Sequence, residues 1–522
     1  MAERFRVTYA TLSADNEDLH AAYDQGLEEA RTWFGSTLTS FVNGEPRQGS
    51  GSVDVISPVD TSITVCTVKT ATPADVNDAV AAAEAASHRW ANTPWQERIA
   101  LLRKVGDLIS DRSNELAALM SVEVGKNRLE ALGDVEEAAV FFRYYSDMME
   151  KNNGFDVAMD TIAAGETTRS VMRPYGVWGV IGPFNFPMAL AAGPSAGALA
   201  AGNTVVLKPS VQGTFSAIKL YECMRDAGVP GDVFQVVTGG DDIGKALVAH
   251  PDVDGLSFTG SYDVGMSIYR GFAGAYPKPV VCEMGGKNPT IVSKKADVDL
   301  AATGIARSAF GASGQKCSAC SRVYVEREAY EPLLEALKER ADAVAIGDPT
   351  ERTTYMGPVI DAAAVGRFED AVRHARETGQ VVAGGDVLGK APSGAAGNYV
   401  AATVVSGLPL DDELFQKELF VPFVAVAPVD SLDEALDLAN NTDLGLTAGF
   451  FSDDDAEVNT FLDTIEAGVV YVNRAAGATT GAWPGVQPFG GWKGSGTSGK
   501  AGGGLYYVQQ FMREQSRSVV AR

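Results

Sequence analysis

Three short segments constrain the fold more than anything else in the chain. NTVVLKPS, VFQVVTG and GLSFTGS read as strands, separated by helical stretches that run to about Ala227 and about His250, with a further helix from about Tyr262. Strand and helix alternating through short connections implies right-handed βαβ crossovers, so these strands belong to one parallel sheet.

The same logic extends on both sides. The apolar run Val177 to Leu207 is long enough to suggest a membrane span, but Pro183, Pro187 and Pro194 break it and Asn185 and Asn203 interrupt it. A buried strand, a turn, a small-residue helix and a second buried strand fit it better. Upstream, Glu17 to Trp33 reads as an amphipathic helix and FVNGEP as a turn between short strands. Helices then run from Thr72 to about Lys126, capped at Thr72 or Asp75, and from Asp134 onward. RSVMRPYGVWGVIGP is strand material around a turn, and PVVCEMGGKNPTIV is a strand entering a new region. After Asp299 long helices, LAATGIARSAFGASGQ and AYEPLLEALKERADAV, alternate with the strands SRVYVE, FVAVAPV and AGVVYVN, which makes a second α/β domain. Gly389 to Asn398 is a surface loop by composition.

A net charge of -24 over 522 residues predicts repulsion from nucleic acid and from anionic membranes. The five cysteines are sparse and odd in number, so a disulfide framework is not expected and a reducing cytoplasm fits. No apolar secretory segment opens the chain. The four histidines are scattered, without the paired spacing of a zinc site, and no metal is expected; His250 reads as a helix-end residue.

GQKCSACSR holds Cys317 and Cys320 in a C-x-x-C spacing. Taken alone it is a redox dithiol, half a metal site, or one nucleophile beside a packing cysteine. FTGSYDVG, with Gly260 and Gly265, is either a tight turn or a phosphate cradle. GPFNFP carries Asn185 and CEMGGKNP carries Glu283, 34 positions before Cys317.

In this order and spacing, together with NTVVLKPS, KELFVPF, DLGLTAGFFS and QPFGGWKGSG, these pieces resemble the aldehyde dehydrogenase superfamily from about Phe41 to Phe511. The resemblance implies that family's α/β fold. A Rossmann-like cofactor domain takes 1–158 and 175–283, and a catalytic α/β domain takes 284–475. A substrate anchor loop spans 476–499, and 159–174 with 500–522 form a small β oligomerisation flap of a homodimer or homotetramer. It also implies aldehyde oxidation with NAD or NADP. Cys317 is the nucleophile, placed near a helix N-terminus that favours its thiolate. The Asn185 amide and the Cys317 backbone N–H hold the oxyanion, and Glu283 is the base that hydrolyses the thioester. Cofactor contacts carry over to Ile181, Phe184, Lys208, Gly239, Gly260, Ser261, Gly265, Glu418 and Phe420.

Three positions depart from the family pattern. Val211 stands where an acid often grips the ribose hydroxyls, so NADP is expected to be tolerated or preferred. Phe184 replaces a usual Trp, and Val421 a usual Gly. Within the superfamily the chain is most similar to L-glutamate γ-semialdehyde (1-pyrroline-5-carboxylate) dehydrogenases. That implies substrate contacts at Phe186, Ser318, Gly481, Ala482 and Phe489, with other semialdehydes or aromatic and aliphatic aldehydes as alternatives. A dithiol oxidoreductase and a catalytically dead binding protein are the readings from other classes.

Overall fold

The computed structural model describes residues 15–274, 276–477 and 483–521. One of its two seven-stranded sheets has the order Val280–Glu283, Gly255–Thr259, Val177–Ile181, Thr204–Lys208, Phe234–Val236, Ser40–Val42 and Glu45–Arg47. The first five are parallel and the last two form an antiparallel hairpin on the edge. The three expected strands are therefore neighbours or near-neighbours in one parallel sheet. The run Val177 to Leu207 resolves into two such strands around the buried helix Ala189–Ala201. Small side chains let this helix pack closely, and a Cβ at Gly197 would collide with the Phe511 ring.

PVVCEMGGKNPTIV contains two strands rather than one. Val280–Glu283 ends the first sheet, and Asn288–Val292 lies inside a second seven-stranded sheet after the crossing at Gly285 and Gly286. That second sheet is parallel except for its edge strand Gln380–Ala383. Several helices differ from expectation at their ends; the one expected from Asp134 already begins at Arg128. The first helix stops at Arg31, and Val298–Phe310 stops short of Gln315 because Ala312 and Ser313 take left-handed backbone conformations. Thr72 and Asp75 act together, as a reciprocal capping box. A third, three-stranded antiparallel sheet pairs Glu166–Pro174 with Asp156–Ala158 on one side and Met512–Val520 on the other. Among the described residues no helix is long and apolar enough to cross a membrane.

Candidate active site

The parallel strands of the first sheet end on one side in Ile181, Lys208, Thr259 and Glu283, and these four residues line a cleft of about 570 Å³. A crevice at the carboxyl ends of parallel strands is the ordinary ligand site of such a sheet. Gly260 and Ser261 line it where the helix Tyr262–Gly271 begins; the Gly260 N–H donates to the Glu283 carbonyl at 3.1 Å, and the first-turn N–H groups of the helix have no intrahelical acceptor. Gly265 packs beneath, where a Cβ would run into Met284 Sδ. Gly239 does not reach the wall. Its left-handed backbone packs against Thr70 and Ile243, and the neighbouring Gly240 and Asp241 line the cleft instead.

The far wall comes from the second sheet's loops. Glu418 is held by the Gly286 N–H at 3.1 Å, and only glycine at 285 lets the carboxylate approach the backbone so closely. Phe420 takes a left-handed conformation and meets Phe184 edge to face at 6.0 Å. Val421 itself needs no left-handed backbone, so the loop accommodates a side chain where glycine is usual. Val211, Gln212 and Ser210 also line the cleft and bring no carboxylate to it, while Asp241 lies close enough to Lys208 to oppose the lowering that burial imposes on that ammonium.

At the inner end of the cleft lie Asn185, Glu283 and Cys317. Cys317 is not at a helix N-terminus. It follows the carboxyl end of Val298–Phe310 and precedes the strand Cys320–Glu326. Its loop is clamped by Asn288, whose Nδ2 donates to the carbonyls of Cys317 (2.6 Å) and Ala319 (2.9 Å). Burial, then Glu418 and Glu283, push the Cys317 thiol up to about 12, against the pull of the Ser318 and Cys317 amides. Burial and the two carboxyls outweigh the adjacent Lys316 ammonium, so this environment opposes the thiolate. Burial raises Glu283 to about 8, partly offset by the Gly491 N–H at 3.3 Å. Asn185 is buried and its amide donates to the Gln315 carbonyl at 2.9 Å, leaving a second N–H.

A second cavity of about 390 Å³ reaches the same thiol from the other side, lined in part by Phe186, Ser318 and Phe489. Gly481 and Ala482 lie outside the described residues. Several groups here were not anticipated. Lys316 is buried with no hydrogen-bond partner among the described residues, and burial lowers it to about 8 against the pull of Glu130. Lys126 and Asp134 form a buried pair at 2.8 Å, with the ammonium 3.3 Å from the Phe186 ring centre. No local motif marks these residues, because each acquires its neighbours only through tertiary packing. Cys320 is packed in the second core, accepting from Thr290 Oγ1 at 3.2 Å. All five cysteines are free, and no cluster of candidate metal ligands occurs among the described residues.

Two cavities meeting on one half-buried thiol, one of them at the carboxyl ends of a parallel sheet, define an α/β enzyme that brings two ligands together at a cysteine. The chain matches the model of the aldehyde dehydrogenase family over residues 45–516 and belongs to that family, oxidoreductases acting on aldehydes. It is 36% identical over 494 residues to a 1-pyrroline-5-carboxylate dehydrogenase of Anoxybacillus flavithermus, covering 93% of this chain and 94% of that one. The structure of 1-pyrroline-5-carboxylate dehydrogenase from Thermus with bound NAD superimposes with a TM-score of 0.93 at 34% identity, covering 100% of both chains. Proline utilization A of Bdellovibrio bacteriovorus gives 0.91 at 35% identity, covering 95% of this chain; this chain spans about half, 51%, of that protein.

Proposed function

We propose that this protein oxidises L-glutamate γ-semialdehyde to glutamate, using NAD and tolerating NADP. The relatives' names support the substrate, and the observation that carries it in this chain is the buried Lys316 ammonium beside Ser318 and Cys317, which has Glu130 near it but no hydrogen-bond partner among the described residues. A buried cation without a partner is costly unless a ligand's carboxylate supplies one.

The first cavity fits a dinucleotide. It is lined mostly by apolar groups, with the buried Lys208 and the half-buried Glu418 as convergent polar groups, and a Cβ at Gly260 would fill the space against Phe258. Lys208 would hold the adenosine ribose, Gly260 and Ser261 the pyrophosphate, and Glu418 the second ribose, with Ile181, Phe184 and Phe420 as apolar walls. When bound, the dinucleotide supplies a hydride acceptor and a positive charge near the thiol.

The chain's own residues do the rest. Cys317 Sγ adds to the aldehyde carbon, and the free Asn185 N–H and the Cys317 backbone N–H donate to the oxyanion. Once the carbon is oxidised to a thioester, Glu283 takes a proton from the attacking water and the acid leaves. The division into 1–158 with 175–283, 284–475, 476–499 and the flap segments 159–174 with 500–522, and the oligomer that the flap builds in a reducing cytoplasm, belong to the same proposal.

A substrate panel with both cofactors tests it: glutamate γ-semialdehyde, succinic semialdehyde, propanal and benzaldehyde, read as reduced-cofactor absorbance. Glutamate γ-semialdehyde should give the highest kcat/KM; a higher value for benzaldehyde overturns the substrate. Cys317→Ala should abolish activity while Cys320→Ala retains it, and equal loss from both would favour a dithiol.

A further inference from the structure

Arg307 sits in the last turn of Val298–Phe310 and is exposed, yet its residue also lines the cavity that leads to Cys317. The other cations of that wall are engaged. Lys126 pairs with Asp134, Arg128 with Asp24 at 2.7 Å, and Arg352 with Glu17 at 2.6 Å. Lys316 lies deep inside, with Glu130 near it. Among the described residues the Arg307 guanidinium has no hydrogen bond or ion pair; its backbone carbonyl accepts from the Tyr355 hydroxyl at 3.3 Å and from the Gly311 N–H that caps the helix. A helix-dipole role accounts for a cation in a last turn. It does not account for one standing unpaired at the mouth of a cavity in a chain of net charge -24, where free carboxylates are abundant.

We propose that Arg307 is the capture residue for the carboxylate of an anionic aldehyde, drawing it into the cavity before Lys316 and Ser318 receive it. The overall acidity of the molecule repels such a substrate, and a local cation at the mouth reverses the field where it matters. The inference rests on aldehyde oxidation at Cys317, but not on glutamate γ-semialdehyde being the best substrate.

The test compares aldehydes of different charge on the full-length protein. Succinic semialdehyde carries one negative charge, glutamate γ-semialdehyde is a zwitterion, and propanal is neutral. Arg307→Gln should lower kcat/KM for succinic semialdehyde about tenfold more than for propanal, with the zwitterion between them and the effect in KM rather than kcat. Arg307→Lys should recover most of the loss. Added salt should lower wild-type kcat/KM in the same substrate order, and Arg307→Gln should flatten that dependence. Equal losses for the charged and neutral aldehydes, or no salt dependence beyond that of propanal, would overturn the proposal. Failure of the wild type to oxidise glutamate γ-semialdehyde would instead remove the substrate assignment, and the succinic semialdehyde arm would still decide Arg307.

Discussion

Cys317, Glu283 and Glu418 share one cleft, and both carboxyls make ionisation of the thiol harder. Burial pushes Glu418 up to about 7 and Glu283 up to about 8. A carboxyl raised that far is largely protonated at neutral pH and becomes a base only above its new value. If hydrolysis limits turnover, kcat should rise with pH through about 8. Glu283→Gln should remove that rise and leave one hydride burst followed by a stalled thioester; unchanged steady turnover would take Glu283 out of the mechanism. Lys316 acts in the opposite sense. Lowered to about 8, its ammonium is present at neutral pH and lost above it. KM for carboxylated aldehydes should therefore climb above about pH 8 while KM for propanal does not. Asp241, rather than position 211, places a carboxylate near Lys208. Asp241→Asn should shift the kcat/KM ratio toward NADP by about three- to tenfold, the scale of one partly screened repulsion. An unchanged ratio would mean that Asp241 does not face the 2′-position.

Between elements, the strongest coupling to the site runs through Asp134. It projects from the helix Arg128–Lys151, pairs with Lys126 through Oδ2, and accepts from the Ala189 N–H through Oδ1 at 2.7 Å. The start of Ala189–Ala201 is thereby tied down, and with it the loop carrying Asn185 and Phe186. Asp134→Ala leaves a buried ammonium unpaired and should cost about 3–5 kcal/mol, measured by urea unfolding. Its kcat should fall as the oxyanion donor loses its anchor. A loss below about 1 kcal/mol would show that Lys126 finds another partner. This layer was the part hidden from sequence. Asn185, Glu283 and Cys317 announce themselves because each stands in a local motif, and the parallel strands because β-branched runs between helices have few other uses. Lys126 and Asp134 are eight positions apart and look like surface charges until the helices pack. Likewise nothing local indicates that Ala312 and Ser313 turn left-handed, which takes Cys317 off any helix N-terminus and places it in a loop. Gly239 misled for a related reason. The glycine that adopts an unusual backbone is next to the residues that line the cleft.

At the scale of the whole molecule, the three-stranded sheet is the least self-sufficient part. Met512–Val520 pairs along nine residues with Glu166–Pro174, yet only Met512 is buried. Val519 and Val520 are 63% and 66% exposed, and Val157, Met159 and Ile162 are exposed nearby in sequence on the opposite strand and the turn that follows it. An exposed strand edge with apolar side chains invites pairing with another chain, and soluble proteins usually cover such a surface. A second copy of the chain is the expected cover. Phe511 marks where the dependence should begin, since its ring packs on Trp178 at 4.6 Å and its carbonyl accepts from Asn203. A chain ending at Met512 keeps those contacts and loses only the strand. Light scattering should give a dimer or tetramer for the full chain and a monomer for the shortened one. The Cys317-dependent hydride burst should survive in the monomer, because both cavities at Cys317 are lined by residues before Met512. A full-length chain that is monomeric at micromolar concentration would overturn the oligomer, and a lost burst in a folded monomer would show that the flap supports the site as well as the assembly.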